Sequence, residues 1–282
     1  MVRRAESKCA KGFLPNLKAM ETIKFQKKNI SFTDEGAGKA IVLLHGFTES
    51  LKIWKSFSRK LSAKYRVICI DLPGHGKSAS LGAVHSMELM ADVVFEVLKK
   101  LKVGKCLMIG HSMGGYVTLA FAAKFPEKLR GICLFHSHCF ADTSAEKENR
   151  NRTIGIVNQD KFSYMAQFIP SLFPVEVHKK LSAIIKRMIQ QAAEMQKEGV
   201  IAALEGMKNR DDHSEFLKKT DLPVLFILGL KDTRVPIARA WEMISLPVAS
   251  EILLLRQVGH MGYAEEPEKT FDAIWGFARK VL

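Results

Sequence analysis

Residues 106–125 read CLMIGHSMGGYVTLAFAAKF. Cys106 to Ile109 form a continuous apolar run of strand length, the pattern of a strand buried on both faces. Gly110-His111-Ser112-Met113-Gly114-Gly115 follows, and Tyr116 to Phe125 continues with helical spacing. A strand that turns this sharply into a helix strains the backbone at the turning residue and leaves no room for side chains beside it, which is why glycines surround it. A G-x-S-x-G run in a strand–turn–helix context lifts the serine hydroxyl to the carboxyl end of a sheet. There it sits beside a helix N-terminus whose N–H groups favour developing negative charge. The alternative reading is a plain strand-to-helix turn with a capping serine.

Working outward, the same apolar run recurs at Ala40–Leu44, Arg66–Ile70, Gly131–Phe135, Pro223–Leu228 and Glu251–Leu255. Helical periodicity lies between the runs, at Trp54–Ala63, Met87–Leu101, Gly114–Phe125, Ile237–Ile244 and Pro267–Val281. Two short strands, Thr22–Phe25 and Ile30–Thr33, and a loop at Asp34–Gly38 precede them. Alternating strand and helix predict an α/β fold with a mostly parallel central sheet and helices on both faces. The alternation breaks between Ala141 and His213. Helical periodicity there covers Ser163–Leu172, Val175–Gln196 and Val200–Lys208, behind a polar opening at Asp142–Asn151. The expected organisation is therefore a core of residues 21–140 and 214–282, an inserted helical cap at 141–213, and a basic tail at 1–20. The tail has no hydrophobic signal region and reads as disordered or non-native.

Composition narrows the function classes. The 282 residues are 47% hydrophobic and 26% charged, ordinary for a globular chain able to bury a large core. No apolar run approaches the roughly 18 residues of a spanning helix, so membrane insertion is not expected. The five cysteines are scattered without C-x-x-C spacing and read as reduced thiols of a cytoplasmic protein. The net charge of +14 raises the question of nucleic acid. Lys52 to Arg66 carries six basic residues, and Lys99, Lys100, Lys102 and Lys105 cluster again. No aromatics interleave with them and no nucleic-acid-binding signature accompanies them, so they read as solvated helix faces.

A serine hydroxyl needs a base. Among nine histidines, His260 follows the last apolar run in Val258-Gly259-His260-Met261-Gly262, at the same sheet edge as Ser112. His45, His75 and His111 lie in other edge loops, and His136 and His138 follow the run ending at Phe135. The base needs an orienting acid, and Asp232 follows the run ending at Leu228. Taken singly, an edge-loop histidine or a lone aspartate before a helix also reads as structural. Ser112, Asp232 and His260 nevertheless each follow a separate predicted strand. After Ala40–Leu44 comes His45-Gly46-Phe47, where a glycine lets the backbone approach a reacting carbonyl. The N–H groups of Phe47 and Met113 are the candidate oxyanion hole.

On His45-Gly46-Phe47, Asp71-Leu72-Pro73-Gly74-His75-Gly76-Lys77-Ser78, Gly110 to Gly115, Gly229 to Pro236 and Gly259-His260, the chain resembles the α/β-hydrolase superfamily over essentially residues 21–282. The resemblance implies Ser112 as nucleophile, His260 as base and Asp232 as acid. Haloalkane dehalogenases and epoxide hydrolases carry aspartate at the nucleophile position. Serine there implies an acyl-enzyme formed on an ester, thioester, lactone or amide. The small cap is similar to that of the carboxylesterase, enol-lactonase and meta-cleavage-product hydrolase branches. The expected function is hydrolysis of a small or medium carboxylic ester without metal or organic cofactor, by a monomer or homodimer. Carbon–carbon hydrolysis, elimination or peracid formation by the same triad, and a non-catalytic binding scaffold, are the alternatives. His45, His111, Phe162, Met165 and Phe168 are candidate substrate contacts, with Tyr164, Phe173 and Met188 also apolar cap residues. Arg150 and Arg152 read as solvated, or as ligands for a substrate carboxylate.

Overall fold

The computed structural model describes residues 20–282, so the expected tail lies, but for Met20, outside the described residues. Eight strands form one sheet: β1 (Glu21–Phe25), β2 (Lys28–Glu35), β3 (Ala40–Leu44), β4 (Arg66–Ile70), β5 (Cys106–His111), β6 (Leu129–Phe135), β7 (Val224–Gly229) and β8 (Ser250–Leu255). Their spatial order is β1-β2-β4-β3-β5-β6-β7-β8. β1, β2 and β4 pair antiparallel, and every pair from β4 to β8 is parallel. All positions of β3, β5 and β7 are buried, which is why they read as unbroken apolar runs. Each fully buried Val, Leu or Ile there contributes about 1.5–3 kcal/mol.

Helices pack around the sheet: α1 (Lys55–Leu61), α2 (Met87–Lys100), α3 (Met113–Lys124), α4 (Ser144–Phe168), α5 (His178–Ala193), α6 (Lys197–Lys208), α7 (Ser214–Lys219), α8 (Ile237–Ile244), α9 (Gly262–Glu265) and α10 (Pro267–Val281). α3 is buried along nearly its whole length, whereas α10 buries only Thr270, Ile274, Phe277 and Ala278. Between β6 and β7 the described chain is helical, α4 through α7, with no strand. No helix among the described residues is long and apolar enough to cross a membrane.

Two local expectations are corrected. Most of the polar opening at Asp142–Asn151, from Ser144 on, is the first turns of α4. Thr143 accepts from the Glu146 N–H while Glu146 accepts from the Thr143 N–H, a capping box that starts the helix at Ser144. Strand β2 runs to Glu35 instead of ending at Thr33. Its two acidic side chains have partners that permit burial: Arg66 donates two hydrogen bonds to Asp34, and Ser58 donates to Glu35 at 2.6 Å.

Candidate active site

The turn after β5 is built by close packing. Ser112 has φ 50° and ψ −115°, outside the usual regions for a non-glycine residue. A Cβ on Gly110 would lie 2.1 Å from the Gly114 carbonyl oxygen, and one on Gly114 would lie 2.6 Å from that of Leu44. Two hydrogen bonds hold the strained turn: the Ser112 N–H donates to Phe135 O at 2.9 Å, and Ser137 Oγ donates to Ser112 O at 2.8 Å.

The loops after β7 and β8 bring Asp232 and His260 to this turn. His260 Nε2 lies 2.8 Å from Ser112 Oγ, and His260 Nδ1 lies 2.8 Å from Asp232 Oδ2. An ionised carboxylate only accepts, so Nδ1 carries the proton and Nε2 presents its lone pair to the serine. Burial alone would raise the Asp232 pKa, but His260 and a second histidine, His136, hold it well below the usual carboxylate range. Asp232 Oδ1 accepts the N–H groups of Arg234 and Val235, fixing the carboxylate plane. Glu265 accepts from the N–H groups of Gly259 and Met261 and so braces the His260 loop. Among the described residues, the N–H groups of Phe47 and Met113 make no hydrogen bond. Both residues' elements meet Ser112: Met113 is its neighbour on α3, and a Cβ on Gly46 would lie 3.2 Å from Ser112 Cβ.

The site opens into a cavity of about 480 Å³ walled by α4, the β6–α4 and β7–α8 loops, and Phe47, His111, Ser112 and His260.

The profile of the alpha/beta hydrolase fold family matches residues 39–153. A thermophilic esterase from Thermogutta terrifontis, solved with malate bound, is 31% identical over 94% of this chain and 99% of its own, with a TM-score of 0.87. Among curated proteins, a pimeloyl-[acyl-carrier protein] methyl ester esterase of Nitrosomonas europaea is 28% identical over 87% of this chain and 99% of its own length. The dihydrolipoyllysine-residue acetyltransferase component of an acetoin cleaving system of Pseudomonas putida is 29% identical over 86% of this chain, which spans only 64% of that relative. The chain belongs to the alpha/beta hydrolase fold family. It is an α/β-hydrolase enzyme.

Not every residue singled out from the hydrolase sequence reaches the cavity. His111 and Phe168 line it, as do Tyr164 and Arg150. His45 does not. It is fully buried, donates from Nδ1 to Gly46 O at 2.8 Å and accepts the Leu72 N–H at Nε2 at 2.9 Å, tying the loops after β3 and β4 together. Burial lowers its pKa and keeps it neutral. Phe162 is 59% exposed and Met165 fully buried, so neither forms the wall. The face of α4 bearing Tyr164 and Phe168, four residues apart, turns to the cavity, and Met165 one position on turns into the interior. Phe173 and Met188 are likewise buried packing. Arg152 is exposed, whereas Arg150 is half-buried on Asp142.

Two participants were not legible in the sequence. Glu49 is buried and accepts the Gly46 N–H at 2.6 Å, the Tyr263 hydroxyl at 2.7 Å and His111 Nδ1 at 2.9 Å. Burial would raise its pKa, but His111 and these donors bring it down to about 2. His111 Nε2 meets the His260 carbonyl oxygen at 2.9 Å. With an acceptor at each nitrogen, His111 can donate to both only as an imidazolium, and Glu49 raises its pKa against the opposing effect of burial. The second participant, His136, donates from Nδ1 to Asp232 Oδ2 at 3.1 Å, and burial lowers its pKa to about 4. His136, Asp232 and His260 bring ligand atoms within 4.8 Å of one another. A metal ion could occupy that group only by replacing both hydrogen bonds to Asp232.

Proposed function

We propose that this hydrolase cleaves a small or medium carboxylic ester, thioester or lactone through an acyl-enzyme on Ser112. The observation that carries the reading is the unbroken chain Ser112–His260–Asp232, two contacts of 2.8 Å, ending at a cavity of about 480 Å³. His260 Nε2 takes the Ser112 proton as Oγ attacks the carbonyl carbon. The carbonyl oxygen becomes an oxyanion, stabilised by the Phe47 and Met113 N–H groups. Collapse expels the alkoxide, which takes the proton from His260 and leaves as alcohol. Water then gives a proton to His260, attacks the acyl carbon and releases the acid, and the proton returns to Ser112. Asp232 stays ionised throughout and stabilises the imidazolium formed at His260.

The test is initial rates on p-nitrophenyl acetate through decanoate, with Ser112→Ala as control and a fluorophosphonate probe beside it. Ser112-dependent turnover that falls with chain length is the expected result. No labelling of Ser112 in the folded protein would sink the catalytic assignment. Labelling without ester turnover would move the triad to carbon–carbon hydrolysis or another reaction.

A further inference from the structure

Three carboxylates and two guanidinium groups line the cavity, and each of the carboxylates has a cationic or imidazole partner. Asp142 accepts Arg150 from one side and Arg210 from the other, so one carboxylate faces two guanidinium groups. Glu146 pairs with Arg239 at 3.0 Å, and Glu49 is neutralised by His111. Arg234 lines the cavity with no carboxylate partner among the described residues. It is nonetheless held in place: its guanidinium lies 5.0 Å from the centre of the Phe168 ring and donates to Ser171 Oγ at 2.7 Å. Nε and the second terminal nitrogen of Arg234 stay free. Two further guanidinium groups, of Arg210 and Arg239, stand behind the wall on Asp142 and Glu146. Burial, reinforced by Arg210 and Arg239, lowers the His138 pKa to about 3, so the imidazole facing the cavity stays neutral.

With the lining carboxylates already paired, the one guanidinium left without a counter-charge is the group in this cleft placed to draw an anion. A fixed guanidinium with free N–H groups matches a carboxylate in geometry as well as charge. We propose that the substrate is an ester bearing a second, free carboxylate, which Arg234 receives at the cavity mouth while Ser112 attacks the ester carbonyl. This specifies the substrate class of the ester hydrolase reading above and rests on it.

The test sets acid-bearing esters against neutral partners. Monoethyl adipate is compared with ethyl hexanoate, placing the acid on the acyl side. 4-Butyryloxybutanoate is compared with butyl butyrate, placing it on the alcohol side. The acid-bearing ester of one pair is expected to show a kcat/KM higher by roughly 10- to 100-fold, the worth of one charge-assisted hydrogen-bonded contact. The ratio falls with added salt, and it falls at least several-fold in Arg234→Gln, a substitution at an exposed position. Ser112-dependent turnover of the neutral esters with both ratios at or below one overturns the proposal and leaves the ester reading standing. No Ser112-dependent turnover of any of the four sinks the ester reading. Calorimetric titration with adipate then decides the site on its own: Arg234-dependent binding upholds it, and no binding overturns it.

Discussion

Two buried histidine–carboxylate pairs lie beside Ser112, and distance alone does not tell them apart. His260 meets Asp232 at 2.8 Å, and His111 meets Glu49 at 2.9 Å. The difference is at the far nitrogen. For His260 that nitrogen faces a hydroxyl, which can give up a proton; for His111 it faces a backbone carbonyl, which cannot. The first pair therefore presents a ring nitrogen to a hydroxyl that can donate to it, whereas the second can make both of its hydrogen bonds only as an imidazolium, a form that Glu49 favours. Because His111 bonds the His260 carbonyl and Glu49 bonds the Gly46 N–H, the second pair braces both the loop carrying the base and the loop carrying Phe47. A carboxylate beside a histidine is thus no sign of catalysis until the other ring nitrogen is accounted for.

The largest expected effect falls on the first pair. Ser112→Ala or His260→Ala lowers kcat by about 10⁶-fold, since members of such a unit act together. Asp232→Asn lowers it by about 10⁴-fold, because an amide no longer selects the Nδ1–H tautomer. Steady-state rates on a turned-over ester check both. A loss under tenfold in Asp232→Asn would mean that the two pairs are not distinguished in the way the hydrogen bonds imply.

Acid unfolding separates the buried histidines by sign. His75 and His138 are held to about 3 and His136 to about 4, chiefly by burial. Below about 6.5 the unfolded chain binds protons that these three refuse in the folded state, so stability falls as pH drops from about 6.5 toward 4. Each contributes up to about 1.4 kcal/mol per pH unit. Glu49 acts in the same direction at lower pH, its stabilisation being present above its unfolded pKa and lost as pH falls through about 2. His111 has the opposite sign: its contribution is full below about 6.5 and is lost as pH rises through its raised value. Urea midpoints measured from pH 7 to 4 test this. A midpoint that stays level across that range would contradict the neutral burial of the three histidines.

How much of this could be read from the chain follows from where the information resides. Ser112, Asp232 and His260 were legible because each lies in the loop or turn within five residues after an apolar run, and in a parallel sheet the runs' carboxyl ends share one edge. Glu49 was not, because two of its partners, His111 and Tyr263, are 62 and 214 residues away and meet it only after folding, and the motif holding the third, Gly46, ends at Phe47. The sequence places His136 only in the loop after the run ending at Phe135, since its bond to Asp232 spans 96 residues. The helices between β6 and β7 were the hardest part. The start of α4 was available in Thr143-Ser-Ala-Glu146, a capping signal, yet the polar face that follows it conceals the periodicity. Nothing in composition separated Met165 from Phe168, because the phase of a helix against its cavity is set by tertiary packing.

Glu49→Gln tests whether the second pair is only a brace. It leaves His111 as a buried cation without its counter-charge, which costs about 3–5 kcal/mol of stability. The expected signature is a large fall in the urea midpoint with a pH–rate profile whose acid limb does not move. If that limb shifts by a full unit, Glu49 acts on the base electrostatically as well as through the loop, and the distinction between the pairs weakens.

The smallest effect isolates one arm of that network. Tyr263→Phe removes the hydroxyl that donates to Glu49 at 2.7 Å and keeps the ring, which packs edge-on to His111 at 5.1 Å and beside Trp54 at 6.2 Å. Glu49 retains His111 and the Gly46 N–H, so the ion pair survives and no cavity opens. A hydrogen bond to a charged acceptor is worth about 1.5–3 kcal/mol, and two remaining donors place the expected cost at the low end of that range. The change should be nearly absent from kcat, because neither the Ser112–His260 contact nor the Gly46 N–H bond involves Tyr263. The measurement is a double-mutant cycle with Glu49→Gln, read in urea midpoints at pH 7. Strictly additive losses would show that the hydroxyl's contribution does not depend on the charge of Glu49, whereas a coupling near the value of one such bond ties the hydroxyl to the carboxylate.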